Sequence, residues 1–381
     1  MTSFDVAIVG GGLVGSSIGY HLATRGYETI LLDRNDSGRA TDAGAGIVYP
    51  PTSSYAQSET WFRFALDAAD YYPLLADKLA EYDHGYRRSG LLSVAIDSDE
   101  IEPFEQLRQL TEQRTDRVNR PRSDCVRHCT PTEAQELYPP LATVNRAIFY
   151  ADAAQVDGRK FATALLKHGT KSGLLNQSAD VEQVQVSDGT ATELILHDGN
   201  RIEAEYIVIA GGAWSGQFER DLGIRLPISP KRGQILHFDV SPLEFDLPTA
   251  EWPIVKAMRH QYQVPWADGR VACGATREEH SGFTPYPTLN GLHVVTTEAL
   301  RIAPELAEAK HLETRVGLRP VSADDLPVIG VVPETDNVLV ATGHGPTGLT
   351  LGPYSGKLIG DLIDGRTLES DLGPFSVDRF H

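Results

Sequence analysis

The sequence predicts an α/β protein, α+β overall, in which a parallel sheet is interleaved with a second, mainly antiparallel one. The chain opens with a strand–glycine turn–helix–strand unit. From Ile228 onward, short strands alternate with turns. Between these regions nothing reads as a linker, repeat or low-complexity stretch, so the two parts fold through one another rather than in series. At 381 residues the chain exceeds one ordinary core and reads as about two domains.

The opening unit is Phe4 to Arg34, FDVAIVGGGLVGSSIGYHLATRGYETILLDR. Val6, Ile8 and Val9 form an apolar, β-branched run suited to a strand buried on both faces. Gly10, Gly12 and Gly15 follow as G-x-G-x-x-G. Gly10 permits the tight turn, Gly12 lets backbone approach a pyrophosphate, and Gly15 lets helix pack against strand. The helix, Leu13 to about Arg25, stops at Gly26 and offers its N-terminus to a diphosphate. A second strand, Thr29 to Leu32, ends in Asp33, placed to accept hydrogen bonds from a ribose.

Further along, Arg39 to Pro51 is a small-residue loop that can lie against a flat ligand. Thr60 to Tyr82 has helical spacing interrupted by Pro73, Ser89 to Ile96 is a strand, and Ile101 to Arg117 is a charged helix. Thr130-x-x-Glu133 caps a short helix. Ala147 to Gly169 is a strand end and helix. Strands at Ser178 to Val186, Glu193 to Leu196 and Arg201 to Glu203 precede a separate buried strand, Tyr206 to Ala210, that ends at Gly211-Gly212-Ala213-Trp214. Lys231 to Val240, Gln261 to Pro265 and Arg270 to Ala275 read as antiparallel strands, and Thr296 to Arg301 as helix. Thr314 to Pro320, Leu326 to Val331 and Val338 to Ala341 then lead into Gly343-His344-Gly345-Pro346-Thr347-Gly348. The last helix ends at Asp364 and Gly365. Pro353 belongs in a first turn, which places its start between Gly348 and Leu351.

Composition excludes several classes. Net charge is −18, with 8 Lys and 26 Arg, which argues against a nucleic-acid surface. The acidic surplus fits a salt-rich cytoplasm or an ordinary acidic protein equally. No apolar run is long enough to span a bilayer, and no basic, apolar leader is visible, so a cytoplasmic location without an integral membrane segment is expected. Cys125, His128 and Cys129 lie close together, but no second ligand cluster completes a zinc site, so no metal is expected. Cys125, Cys129 and Cys273 read as reduced thiols.

Taken together, GGGLVG with LLDR, AGAGIVYP, VDGRKFATALL, IAGGAWS, PKRGQILHF, YQVPWADGRVACGATREEHSGF, VGLRPVSADDLPVIG and ATGHGPTGLTLGP resemble the D-amino-acid oxidase superfamily of FAD-dependent oxidoreductases. The resemblance is nearest to its glycine oxidase-like and D-amino-acid dehydrogenase-like members, and it covers most of the chain in the family's order. It implies a Rossmann-like FAD-binding domain from residues 1–85, 150–225 and 315–381, and a substrate domain from 86–149 and 226–314. It implies non-covalent FAD. Gly10, Gly12 and Gly15 take the diphosphate, and Asp33, with Arg34 beside it, takes the adenosine side. Ala45, Gly46 and Ile47 lie by the isoalloxazine, and Val181 by adenine. Gly211, Gly212 and Trp214 close the nucleotide side. Gly343, His344, Gly345, Thr347, Gly348, Leu349 and Thr350 lie under the flavin's pyrimidine end, where a helix dipole favours negative charge. Arg319, in GLRP, matches the arginine that binds the substrate carboxylate, and Tyr262 a tyrosine over the same group. His260 stands two residues away, on the same face of a strand, and either lines the pocket or faces solvent.

The implied reaction is oxidation of a small amino acid or secondary amine (a D-amino acid, glycine or a sarcosine-like molecule) by hydride transfer to flavin N5, giving an imine and then an oxo acid. The electron acceptor is left open among oxygen, a quinone and a carrier protein, as is assembly into a homo-oligomer. Alternatives are a 2-hydroxy-acid dehydrogenase on the same fold, a flavin-holding assembly factor without turnover, and, on the first motif alone, an NAD enzyme.

Overall fold

Strand β1 (Ser3–Val9) turns into helix α1 (Leu13–Thr24) through a bend that only glycine allows, and β2 (Thr29–Asp33) follows. Gly10 has φ +107°, and a Cβ there would lie 2.5 Å from the Ala210 carbonyl oxygen. A side chain at Gly15 would strike the Gly10 carbonyl, so this glycine sets the close approach of helix to strand. The computed structural model describes residues 3–381.

The small-residue stretch after β2 is more ordered than expected. It contains a helical turn, α2 (Ala40–Ala43), and a short strand, β3 (Ile47–Val48). Helix α3 (Glu59–Lys78) runs through Pro73 without interruption, its N-terminus capped by Ser58. The chain continues through β4 (Arg87–Arg88), β5 (Leu91–Ala95), α4 (Ile101–Val118), β6 (Val126–Cys129) and α5 (Pro131–Leu137), which opens with the Thr130–Glu133 capping box. Next come β7 (Arg146–Tyr150), β8 (Ala154–Gln155), α6 (Gly158–Lys171), β9 (Leu175–Ser178), β10 (Val181–Ser187), β11 (Thr190–Leu196) and β12 (Arg201–Ile209). The two strands expected at Arg201 and Tyr206 are thus one. Its first residues pair antiparallel with β11, and its last pair parallel with β19 (Val338–Thr342).

After α7 (Glu219–Leu222), the strands β13 (Ile228–Asp239), β14 (Ile254–Ala257), β15 (Tyr262–Pro265) and β16 (Arg270–Gly274) lead to α8 (Leu289–Ile302), longer than expected. Then come β17 (Lys310–Ser322), β18 (Val328–Val331), β19 and α9 (Gly348–Ile363).

The first sheet has the order β10-β11-β12-β1-β2-β9, with β19 and β18 joined at β12, and β1, β2, β9, β12 and β19 are mutually parallel. One face packs Ile8 against Ile18, Leu22, Phe161, Leu165 and Ile359 of α1, α6 and α9. The other buries Ala7, Ile207, Ile209, Phe218 and Val340. The second sheet, β17-β13-β16-β15-β14-β5-β7-β6, is antiparallel except at β5–β14. It buries Leu236, Val255, Val271 and Trp252 against Val295 and Ile302 of α8. A third, small sheet runs β3-β8-β4. Strand β17 straddles residue 315 and pairs with β13 along its length, so residues on both sides of that position lie in the second sheet.

Pro353 departs from expectation. Helix α9 begins at Gly348, which puts Pro353 in its second turn rather than its first. Proline cannot donate to the carbonyl four residues back. That carbonyl, on Leu349, accepts the Tyr72 hydroxyl from α3 instead, and Ser17 of α1 donates to the Pro353 carbonyl at 2.8 Å. Side-chain hydroxyls from two neighbouring helices therefore stabilise the interrupted ladder. Among the described residues, no helix is long and apolar enough to cross a membrane.

Candidate active site

The C-terminal ends of β1, β2 and β12 open into a cleft of ≈ 760 Å³ that continues beneath the β14–β15 hairpin and past β17 to the start of α9. That is towards the upper end of the ~300–1,000 Å³ of ligand sites, and the carboxyl ends of parallel strands are where α/β sheets bind ligands.

The dinucleotide end is built by backbone. Gly10 and Gly12 line the cleft, and Gly12 caps α1 with extended backbone and no side-chain hydrogen bond. A side chain at Gly11 would run into Asp33, whose carboxylate lies directly beside the glycine turn. Arg39 Nη1 stands 2.6 Å from Asp33 Oδ2, and the Asn35 amide donates to Oδ1 at 3.2 Å. Val181, Gly211, Gly212, Trp214 and Arg34 line the same end, with the Arg34 guanidinium 5.8 Å from the Trp214 ring centre. Such a cradle, with an N-terminal helix dipole and an acid at the second strand, fits the diphosphate and ribose of FAD.

The loop Ala45-Gly46-Ile47 forms the next wall. The Gly46 carbonyl accepts the Val156 amide at 2.8 Å, and Thr350 Oγ1 donates to the Ile47 carbonyl at 3.1 Å, so β8 and α9 fix the loop. His344, Gly345, Thr347, Gly348, Leu349 and Thr350 line the cleft at the start of α9, and the Thr347 position has no side-chain cap. His344 is buried. Its Nε2 pairs with Ser355 at 2.9 Å, and burial pushes its pKa down to about 4, so the ring is neutral. Two expected residues do not line the cleft: Gly15, at the helix–strand contact, and Gly343, in the turn leading into His344 at φ +72°.

Arg319 and Tyr262 both line the opposite wall. Arg319 lies on β17, where its Nη1 donates to the carbonyls of Arg232 and Thr276 at 3.2 and 3.1 Å. It has no carboxylate partner among the described residues. Burial, with Arg277 adding to it, works against its charge and lowers its pKa. Gly233 on β13 makes room for it, since a Cβ at that position would coincide with the guanidinium. Tyr262 stands beside Gly274. Burial pushes its hydroxyl up to about 12 despite Arg319 and Arg277, so it stays protonated and can donate.

His260 also lines the cleft but is not on a strand. It lies in the hairpin turn between β14 and β15, with φ +61° after Arg259 at +57°, and the Ala257 amide donates to the Gln261 carbonyl across it. Two left-handed residues match the twist of a tight hairpin, a place usually taken by Asn-Gly. Arg-His there carries no such signal, and an alternating strand pattern extends through it by default.

The remaining charges sort cleanly. The acids lining the cleft are each paired: Asp33 with Arg39, Asp36 and Asp180 with Arg34, Asp99 with Arg259, and Glu100 with Arg301. Lys256 and Arg277 line it too and escaped the sequence reading. Lys256 follows two apolar residues of a short strand and has the pattern of any solvated strand lysine. Arg277 lies in ATREEH between a strand and two acids and resembles a solvated turn. Among the described residues, no group of three or more His, Cys, Asp or Glu is arranged to hold a metal ion.

A glycine-turn dinucleotide cradle joined to a cationic pocket under an antiparallel sheet defines the class: a two-sheet flavoprotein oxidoreductase. The chain belongs to the FAD dependent oxidoreductase family, whose model matches residues 5–362. It is 34% identical over 372 residues to "Uncharacterized oxidoreductase YurR" of Bacillus subtilis (strain 168), covering 97% of each chain. It is 30% identical over 387 residues to "Glycine oxidase" of Pseudomonas aeruginosa, covering 97% of this chain and 98% of that one. Among solved structures it resembles iminodiacetate oxidase from Chelativorans sp. BNC1, with a TM-score of 0.91 at 35% identity over 97% of this chain and 98% of that one. The protein is an FAD-dependent oxidoreductase.

Proposed function

We propose that the enzyme oxidises a small amino acid or secondary amine through its carboxylate-bearing carbon–nitrogen unit, acting on CH–NH or CH–NH2 groups. The observation that carries this is Arg319: a guanidinium held by two carbonyls, without an acid, facing the cavity. A planar fork of donors in that state suits a carboxylate. Tyr262, protonated through neutral pH, donates to the same group. The relatives named above are called oxidases of glycine and of iminodiacetate, and both molecules combine an amine with a carboxylate.

Bound FAD supplies the two-electron acceptor. The protein's residues hold the substrate and set its protonation. An amine gives up electrons as its free base, and a site with Arg319, Arg277 and Lys256 facing one cavity disfavours the ammonium form. His260, with its pKa lowered by burial and then by Arg277 and Lys256, is neutral there and adds no charge. No side-chain base is needed if positioning carries the reaction. FAD is held without a covalent link. Cys273 lies outside the cleft lining and the His344 Nε2 is engaged by Ser355, so acid precipitation releases all the yellow colour. We assign residues 1–85, 150–225 and 315–381 to the FAD-binding domain and 86–149 and 226–314 to the substrate domain. The location is cytoplasmic, and the electron acceptor is oxygen, a quinone or a carrier protein.

The test is anaerobic reduction of the bound flavin, followed by loss of its visible absorption, with glycine, N-methylglycine, alanine of both hands and D-2-hydroxyglutarate. Bleaching by an amino acid or N-substituted glycine is the expected result. Bleaching by the hydroxy acid alone, or by nothing, contradicts the proposal in favour of a hydroxy-acid dehydrogenase or a flavin-holding protein respectively.

A further inference from the structure

The cleft holds more positive charge than one carboxylate needs. Its acids are each engaged by an arginine, as described above, which leaves three of its cations without an acid among the described residues: Arg319, Lys256 and Arg277. Among the described residues, Lys256 Nζ donates only to the Thr52 carbonyl. Arg277 has no hydrogen-bond or ion-pair partner among the described residues. The acids that follow it are committed elsewhere, Glu278 to Arg232 at 2.6 Å and Glu279 to Lys231 at 2.9 Å. The cations are close enough to act on one another: burial first, with Arg277 adding to it, lowers both the Arg319 and the Lys256 pKa, the latter to about 8. Arg319 and Lys256 are half-buried and Arg277 is exposed beside them, so the repulsion that a bound anion removes falls mainly on the first two. In a chain with a net charge of −18, acids to neutralise these groups are abundant and none is placed there.

We propose that Lys256 and Arg277 form a second carboxylate subsite beside Arg319, and that the preferred substrate is an amine carrying two carboxylates. This rests on the reading that Arg319 takes the first. Lys256 on β14 is paired in register with Tyr262 on β15, so the hairpin carries a group for each carboxylate on one two-strand ribbon. Arg277, just past the end of β16, covers the second group from solvent-accessible ground. The second carboxylate can be borne on the nitrogen substituent or on the side chain, and substrate pairs separate these.

The experiment measures kcat/KM of the holoenzyme for two matched pairs, iminodiacetate against N-methylglycine and D-aspartate against D-alanine. The two-carboxylate member is expected to exceed its partner by about tenfold or more in one pair, the scale of one charge-assisted contact. Arg277→Met and Lys256→Met are each expected to cut that ratio by about tenfold, with Arg277→Lys retaining part of it, whereas Arg319→Met lowers both members and spares the ratio. A wild-type ratio near one in both pairs, or a ratio unmoved in both variants, overturns the proposal. Should no amine be oxidised, which is a failure of the function and not of the subsite, binding decides. Malonate and acetate are titrated into the holoenzyme and the shift in flavin absorption is followed. Tighter malonate binding that Arg277→Met abolishes supports the subsite, and equal affinity for the two acids overturns it.

Discussion

Arg319 depends on a neighbour that has no side chain. Gly233 lies opposite Gly317 on paired strands, and the space its missing Cβ leaves is filled by the Arg319 guanidinium. Gly233→Ala is therefore expected to displace the arginine while leaving the FAD cradle alone. Losing one side of a charge pair costs on the order of 2–5 kcal/mol, so kcat/KM for amino acids is expected to fall at least ~30-fold with flavin content unchanged. Flavin loss in proportion to activity would show that Gly233 serves the fold. Buried histidines set the acid limit. Burial depresses His21 well below its ordinary value, His237 to about 3 and His344 to about 4. Above pH ~6.5 these rings are neutral in both folded and unfolded chains. As pH falls from there towards 4 the unfolded chain binds protons that the folded one refuses. Stability then drops by about 1.4 kcal/mol per pH unit for each ring. Urea unfolding free energies at pH 7 and 5 check this; equal values would contradict it. Arg319 and Tyr262 were expected from the motifs around them, and both line the cleft. Lys256 and Arg277, which line it too, carried no such expectation, because an isolated cation next to a strand has the same pattern whether it faces solvent or a cavity.

Helix α9 shows how far an element can be read before its partners are known. Its end at Gly365 and its glycine-rich start follow from local chemistry. The place of Pro353 does not, because the Tyr72 hydroxyl that takes over the vacated Leu349 carbonyl comes from a helix 277 residues earlier. Tyr72→Phe leaves that buried carbonyl unpaired, at a cost of about 1–3 kcal/mol. The melting temperature is expected to fall and FAD to dissociate more readily, since Leu349 lines the cofactor end. Unchanged melting would mean that the carbonyl finds another donor. The same logic explains β12. Separate strands were expected at Arg201 to Glu203 and Tyr206 to Ala210, but one strand runs through while its neighbour changes from β11 to β19. The glycine turn between β1 and α1, by contrast, was legible because its contacts are local or made with backbone.

Across the fold, two sheets share a single cleft, and each supplies one kind of chemistry. The parallel sheet brings the glycine turn and the N-terminus of α1 to the cleft. The antiparallel sheet contributes Arg319 on β17 and Tyr262 on β15, with β13 and β16 between them. That division was visible in the sequence, because a strand–glycine–helix unit and a run of short strands have different periodicities. The extent of the second sheet was not, because β17 enters it across residue 315 through long-range pairing with β13 that no local pattern encodes. The central claim is that the antiparallel sheet recognises a carboxylate and thereby holds the amine for oxidation. The most direct test is kcat/KM of Arg319→Met for an amino acid and for the matching amine without its carboxylate, each relative to the unmodified enzyme. The account predicts a loss of roughly 30- to several-thousand-fold for the amino acid, corresponding to ~2–5 kcal/mol, a much smaller loss for the amine, and unchanged flavin content. Equal losses for both substrates would contradict it and assign Arg319 to the fold or the flavin.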